Sequence, residues 1–304
     1  MVTSPSYSSP LRYPGGKAWI TNQIQNIIVF NGIVGTDYAE PFAGGAGLAL
    51  TLLANGYVSH LYLNDLDSAL FAFWSSALED TAELCRLIRE TPVTIDEWHR
   101  QKLVLSNPSE YSLVQLGFAT FFLNRTNRSG IVQGGVIGGL RQNGTYKIDC
   151  RFNKTDLIQR IESIAARRND ISLTRLDASE FITDVVNKSP KECLTFLDPP
   201  YYRKGDQLYF NTFSHKDHLR LSKIILNKLK GSWILTYDDV PEINAMYSMY
   251  QGIRYQIKYT AAAKQTGLEI MYHSPNLKMP PDLMGSFQRT TRQSELKDGA
   301  SHPR

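Results

Sequence analysis

Cysteine is scarce in this sequence. The 304 residues hold three, Cys85, Cys150 and Cys193, with no Cys-x-x-Cys spacing. A disulfide framework and a cysteine-rich zinc site are thereby excluded, no metal is expected, and a reducing cytoplasm fits best. No apolar run approaches the roughly 18 residues of a membrane span. Met1–Ser9 is rich in serine and proline and lacks the apolar stretch of a secretory signal. With 20% charged and 42% hydrophobic residues, wholesale disorder is excluded. The length suits one large α/β domain, or a core domain carrying a smaller insert.

Acidic residues thin out in one place. Between Arg125 and Arg175 ten Arg or Lys face four acids, a local +6 in a chain whose formal total is +4. A basic stretch inside a nearly neutral chain points to a polyanion, and a solvated helix face is the plainer alternative.

Apolar, β-branched runs recur at Asp37–Phe42, His60–Asp65, Ile171–Asp177, Cys193–Asp198 and Ser232–Asp238, all but the first ending at aspartate. Stretches of helical periodicity separate most of them. That alternation predicts an α/β fold with a parallel sheet whose ligands sit at the strands' C-terminal ends. Arg254–Thr260 and Leu268–His273 read as a late antiparallel pair. Between them and the first runs the pattern changes: Ala69–Leu78, Thr81–Arg89, Ile95–Leu105, Ser112–Leu123 and Asp156–Arg167 have helical spacing, and Ser129–Gly144 is glycine-rich. Residues 68–170 therefore read as an insert in a core formed by 1–67 and 171–284, and the polar stretch 285–304 reads as a disordered tail.

The sharpest motif is Asp198-Pro199-Pro200-Tyr201 after the apolar Cys193–Leu197. The Asp198 carboxylate can accept one hydrogen of a planar amine and the Pro199 carbonyl the other. Prolines restrict the backbone and bring no competing N–H. Tyr201 offers a π-face for an extruded base. A second motif, Glu40-Pro41-Phe42-Ala43-Gly44-Gly45-Ala46-Gly47, joins a strand to a helix through a glycine turn, and Asp65 closes the next strand about 20 residues on. Together they suit an adenosine-containing cofactor, a dinucleotide included. The third, Arg12-Tyr13-Pro14-Gly15-Gly16-Lys17, is no P-loop, because Leu11 and Ala18 stand where glycine and Ser/Thr are required.

These three motifs, in this order over residues 10–275, resemble the Dam-type, alpha-group DNA adenine methyltransferases. That family has an aromatic-x-Gly-Gly-Lys near its start, a Pro-Phe-x-Gly turn, a helical target-recognition insert and Asp-Pro-Pro-Tyr. The resemblance implies a Rossmann-like class I methyltransferase sheet with a mainly helical target-recognition insert. It implies S-adenosyl-L-methionine as cofactor, held by Tyr13, Lys17, Phe42, Gly44, Asp65 (ribose), Asp177 (adenine) and Asp198. Asp198, Pro199, Pro200 and Tyr201 would be catalytic, and Asn124, Arg125, Arg128, Arg141, Lys147, Arg151 and Lys154 would engage DNA. One departure stands out: Ala46 occupies the family's second glycine position, and Gly45 and Gly47 are expected to preserve the turn.

The implied reaction is direct methyl transfer to the N6 amine of an adenine flipped out of duplex DNA, without a covalent enzyme intermediate. No Pro-Cys nucleophile for carbon methylation is present. RNA adenine or DNA cytosine-N4 methylation, or a non-catalytic DNA-binding relative, are the alternatives; an oxidoreductase would need a Gly-x-Gly-x-x-Gly that Phe42–Gly47 does not supply. Double-stranded DNA is the expected partner, the chain is expected to act as a monomer, and a cognate restriction endonuclease sharing the site is compatible with this reading. His215 and His218 share helical spacing and are expected on a helix surface rather than at a metal; Asp238 and Asp239 either shape the base pocket or form a turn before Pro241. The tryptophans, with Tyr247, Tyr250, Tyr255 and Tyr259, are expected in the core.

Overall fold

The computed structural model describes residues 9–12, 17–203, 213–259, 265–281 and 283. Seven strands form one sheet: β1 (Thr36–Glu40), β2 (Val58–Asn64), β3 (Ile171–Thr174), β4 (Cys193–Leu197), β5 (Ser232–Asp238), β6 (Ile253–Tyr259) and β7 (Gln265–His273). Their order is β3-β2-β1-β4-β5-β7-β6. β1 pairs parallel with β4 and β4 with β5, whereas β7 runs antiparallel to both β5 and β6. This is a mixed, Rossmann-like sheet of the kind the sequence leads one to expect. The chain order reverses between β1 and β4, and an α/β sheet opens its ligand crevice at such a point, beyond the strands' C-terminal ends. β4 and β5 are buried along their whole length, which explains why Cys193–Leu197 reads as a continuous apolar run.

Strand ends differ slightly from the sequence reading. β1 stops at Glu40 and β3 at Thr174, so Phe42 and Asp177 lie in the loops that follow. Thr260 and the tail 285–304 lie outside the described residues.

The helices are α1 (Thr21–Phe30), α2 (Gly47–Ala54), α3 (Ser68–Glu79), α4 (Thr81–Glu90), α5 (Ile95–Ser106), α6 (Leu113–Thr126) and α7 (Lys154–Ala165), followed by His215–Asn227 and Pro241–Met246. Their starts are written in the sequence. Asp67 caps α3 through the amides of Ala69 and Leu70, and Asn153 caps α7 through that of Asp156. Ser112 with Gln115 makes a reciprocal capping box on α6.

Two compact units emerge. One comprises residues 1–16, 43–50 and 63–176, the other 17–42, 51–62 and 177–304. In the first, α3 and α6 cross closely, because a Cβ on Gly117 would lie 2.6 Å from the Ala72 carbonyl oxygen. Phe73, Phe121, Phe122 and Phe152 fill that core. In the second, Leu197, Tyr201, Leu221, Trp233, Leu235 and Tyr247 belong to one apolar cluster. Trp74, Trp98 and Trp233 are core residues, as are Tyr247 and Tyr255, while the side chains of Trp19 and Tyr259 lie outside the described set. All three cysteines are free. No helix among the described residues is long and apolar enough to cross a membrane.

Candidate active site and nucleic-acid interface

At the C-terminal end of β4, Asp198 is held from both sides. Lys17 Nζ donates to Oδ2 and Thr236 Oγ1, from β5, donates to Oδ1, each at 2.7 Å. The Lys17 ammonium also lies 5.0 Å from the centre of the Tyr201 ring. The next turn is fastened by Asp238, whose two oxygens accept the main-chain N–H groups of Tyr202 and Arg203 at 2.9 Å. The last three residues of β5 thus template the acid-Pro-Pro-Tyr loop: Thr236 aims the carboxylate, the Tyr237 ring lies 6.3 Å from that of Tyr201, and Asp238 ties down the backbone beyond. Sequence reading left Asp238 open between a pocket wall and a turn, and passed over Thr236. An apolar strand ending Thr-Tyr-Asp was the signal available for both.

The same unit buries more acid than base around this point. Glu40 accepts from Tyr38 Oη at 3.0 Å, and Glu269 accepts from Tyr255 Oη at 2.8 Å; both glutamates are buried. Burial pushes the Asp198 carboxyl up, against the pull of Lys17 and Thr236, and Glu269 pushes the same way. Burial alone would lower Lys17, but Asp198, Glu269 and Glu40 outweigh it and raise the ammonium above the ordinary lysine value. Lys17 therefore stays charged. A cluster of this composition favours a cationic ligand.

Tyr201 departs from expectation. It is 6% exposed, with Lys17 over its ring, so in this arrangement it is no open platform for a base. Asp177 caps the short helix that follows it by accepting from Ser179 N, and pairs with Arg220 at 2.7 Å. Partial burial would raise its carboxyl, but Ser179 and Arg220 hold it below the usual carboxylate value. Phe42 meets Phe213 edge-on, with ring centres 5.9 Å apart. His215 Nδ1 lies 2.9 Å from Tyr202 Oη, and His218, buried rather than on the helix surface, has Nδ1 2.9 Å from Tyr237 Oη. No group of three metal-ligating side chains occurs among the described residues.

In the other unit, the turn after β1 and the end of β2 meet. Gly44 N donates to Asp65 Oδ2 at 2.8 Å and Asp67 N to Oδ1 at 3.0 Å. Burial raises the Asp65 carboxyl to about 7, although both amides pull it down. Trp74 Nε1 donates to the Gly44 carbonyl at 2.8 Å and fixes the turn from behind. The left-handed residues of the turn are Gly44 (φ 49°) and Ala46 (φ 47°). Ala46 is left-handed despite its methyl group, and its N–H donates to the Ala43 carbonyl at 2.7 Å. Tyr13 lies outside the described residues.

The seven residues expected to engage DNA divide into two sets. Asn124 is 0% exposed: its Oδ1 accepts from Arg12 N, and its Nδ2 donates to the carbonyls of Arg12 and Gly130. This corrects the expectation, for its amide is consumed in clamping the chain ahead of Lys17. Arg125 is half-buried on the carbonyls of Arg151 and Pro10, and burial together with Arg12, Arg160 and Arg151 lowers it to about 10. Lys154 donates to the carbonyls of Arg89 and Thr91 at the end of α4, where a cation complements the helix dipole. Arg128, Arg141, Lys147 and Arg151 are exposed.

An α/β sheet that delivers an acid-Pro-Pro-Tyr loop to its switch point, in a chain that also closes a glycine turn on an aspartate, has the features of a nucleotide-type group-transfer enzyme. The model of the D12 class N6 adenine-specific DNA methyltransferase family matches residues 13–262, and the chain belongs to that family. It is an adenine-specific DNA methyltransferase, with DNA as substrate and a methyl donor as cofactor. No curated protein matches the chain.

Proposed function

We propose that the donor is S-adenosyl-L-methionine and that the acceptor is an adenine flipped out of duplex DNA. The pairing of Asp198 with both Lys17 and Thr236 carries this reading, because it fixes a carboxylate at the switch point. The donor set fits the cofactor: Asp65 can take ribose hydroxyls, and Glu40, Asp198 and Glu269 with one lysine favour a cation. Tyr13, Lys17, Phe42, Gly44 and Asp177 complete its binding residues in this reading.

When bound, the cofactor supplies a methyl group on a sulfonium. The chain does the rest. Asp198 retains lone pairs beyond the two hydrogen bonds it accepts, so it can take one amine hydrogen while the Pro199 carbonyl takes the other. Pro200 and Tyr201 hold that pair in place. Two acceptors on the amine favour a pyramidal nitrogen and aim its lone pair, and fixed orientation supplies much of the rate gain. Residues 68–170 would form the target-recognition insert on a core of 1–67 and 171–284. Arg128, Arg141, Lys147 and Arg151 would meet phosphates or base edges, with Arg125 and Lys154 supporting them. The reading extends to a monomer acting in the cytoplasm, and a cognate endonuclease sharing its site would complete a restriction-modification pair.

Transfer of radiolabel from S-adenosylmethionine to unmethylated duplex, with D198A alongside and digestion to nucleosides, tests it. Label in N6-methyladenine that disappears in the variant is expected. Absence of label with bound cofactor would sink the duplex substrate, and absence of cofactor binding would sink the donor.

A further inference from the structure

The first turn of the helix His215–Asn227 is fastened at its start by a reciprocal cap. Ser214 Oγ accepts from Asp217 N, and Asp217 Oδ2 accepts from Ser214 N at 2.9 Å. Three residues apart on that turn, His215 and His218 both reach Tyr202, the residue after the acid-Pro-Pro-Tyr motif. His215 Nδ1 lies 2.9 Å from Tyr202 Oη, and the His218 ring lies 5.0 Å from the Tyr202 ring. The rings of Phe213, at 5.3 Å, and Tyr237, at 5.5 Å, also stand beside His218. Tyr202 and Phe213 pack against the apolar cluster that holds Tyr201 and Tyr237.

One polar contact ties the imidazole down: His218 Nδ1 lies 2.9 Å from Tyr237 Oη, and both residues are buried. Burial, with His215 adding to it, holds His218 below the ordinary histidine value against the pull of Asp238 and Asp217, so it is neutral at pH 7. Burial pushes the Tyr237 hydroxyl well above the ordinary tyrosine value, so it keeps its proton. That hydroxyl donates to Nδ1, and the imidazole carries its own proton on Nε2; the opposite tautomer would leave the hydroxyl proton without an acceptor among the described residues. Nε2 is buried and has no hydrogen-bond partner. A leucine would fill this apolar place without stranding a polar atom, so folding alone gives no reason for a histidine here.

We propose that His218 is a positioning residue for methyl transfer, setting the Tyr237 hydroxyl and the Tyr202 ring so that the loop carrying Asp198 and Pro199 keeps its place. This rests on the reading of those two residues as acceptors of the target amine. Tyr237 stands between Thr236, which donates to Asp198, and Asp238, which accepts from the N–H groups of Tyr202 and Arg203. Side chains alternate along a strand, so His218 pins the end of β5 from the face opposite to those two anchors. A misplacement of about 1 Å at reacting groups can cost about a hundredfold in rate, which is why such a distant brace matters.

The test uses the full chain and duplexes that contain its mapped methylation site. Single-turnover transfer from radiolabelled S-adenosylmethionine reads the methyl-transfer step, equilibrium dialysis reads donor binding, anisotropy reads DNA binding, and circular-dichroism melts read the fold. H218L and Y237F should each slow the single-turnover rate about tenfold, the loss of one hydrogen bond, with both affinities unchanged. H218L/Y237F should be no slower than the slower single variant, because one bond joins the pair. H218N, whose side-chain oxygen can accept where Nδ1 does, should stay within about threefold of wild type. The double variant strands no polar atom here, so it should melt no lower than wild type and yet stay slow, a separation that a merely structural pair would not give. Wild-type rates in H218L, a loss that H218N shares in full, or rates that track melting temperature across the series overturn the positioning role and leave the methyltransferase reading standing. Absence of transfer by the wild type with donor and duplex bound removes the reading on which it rests.

Discussion

Thr236 and Lys17 grip the same carboxylate by its two different oxygens: Thr236 Oγ1 lies 2.7 Å from Asp198 Oδ1, Lys17 Nζ 2.7 Å from Oδ2. The carboxylate plane is therefore set before any substrate arrives. Thr236→Val keeps the shape and removes one hydrogen bond to a charged group, a loss of about 1.5–3 kcal/mol if felt fully in the transition state. The turnover number should fall roughly tenfold to a hundredfold, with donor affinity unchanged and T236S restoring most of the rate. Single-turnover kinetics beside equilibrium dialysis would show it; a matched loss of donor binding would contradict it.

Lys17 is the positive partner of a buried pair, with side-chain exposures of 4% and 16%. Lys17→Met leaves the Asp198 charge uncompensated, at a cost of about 3–5 kcal/mol in stability. Lys17 now holds the Asp198 carboxyl down against its burial, so its loss moves that carboxyl further up. The acid limb of the pH–rate profile should shift to higher pH, and the melting temperature should drop. Superimposable profiles would mean that Asp198 owes its ionisation to something else.

Asp65 should make donor binding sensitive to pH. Its carboxyl sits at about 7 rather than 3.8, with burial as the leading cause. Ionised, it can accept both hydroxyl hydrogens of a ribose; protonated, it must donate one itself. Affinity for S-adenosylmethionine should weaken as pH falls below about 7, by up to about tenfold per unit, and D65N should be flat. For stability, the folded chain holds this proton longer than the unfolded one. The group's contribution is therefore full below about pH 4 and is lost as pH rises towards 7. Calorimetric titrations across that range decide the matter, a constant wild-type affinity being the adverse result.

Gly130 makes room for the segment ahead of Lys17. Its φ is 76°, and a Cβ there would lie 2.1 Å from the Arg12 carbonyl oxygen, the oxygen that Asn124 holds. Gly130→Ala adds left-handed strain of about 1 kcal/mol to that clash. Melting should fall by at least a few degrees, and limited proteolysis near Arg12 should quicken. A variant as resistant as wild type would show that the clamp is not needed.

Much of this fold was legible because its signals are local. Cys193–Leu197 and Ser232–Tyr237 read as strands from continuous apolar character, and Ser112–Leu123 as a helix from its period. Asp198 was legible because an acid followed by two prolines after a buried strand leaves few structural explanations. What stayed hidden depends on contacts between distant positions. Nothing near Asn124 in sequence says that its amide will close on Arg12, 112 residues away, and its neighbour Arg125 made a surface role look natural. Glu269 was missed because one glutamate in a strand, Leu268–His273, looks like an ordinary outward residue until burial is known. That the turn would place Ala46 in the left-handed region was likewise not legible, because nothing local to an alanine signals it.

The acids Glu40, Asp198 and Glu269, set against a single lysine, bear on how a catalytic cycle ends. If the donor is the proposed sulfonium, methyl transfer passes its positive charge to the amine nitrogen, and the charge departs when that nitrogen gives up a proton to solvent, among side chains that carry surplus negative charge. The same walls that attract the loaded cofactor hold its neutral remnant less firmly. Turnover then carries its own exit signal, written in Coulomb energy rather than in a moving part.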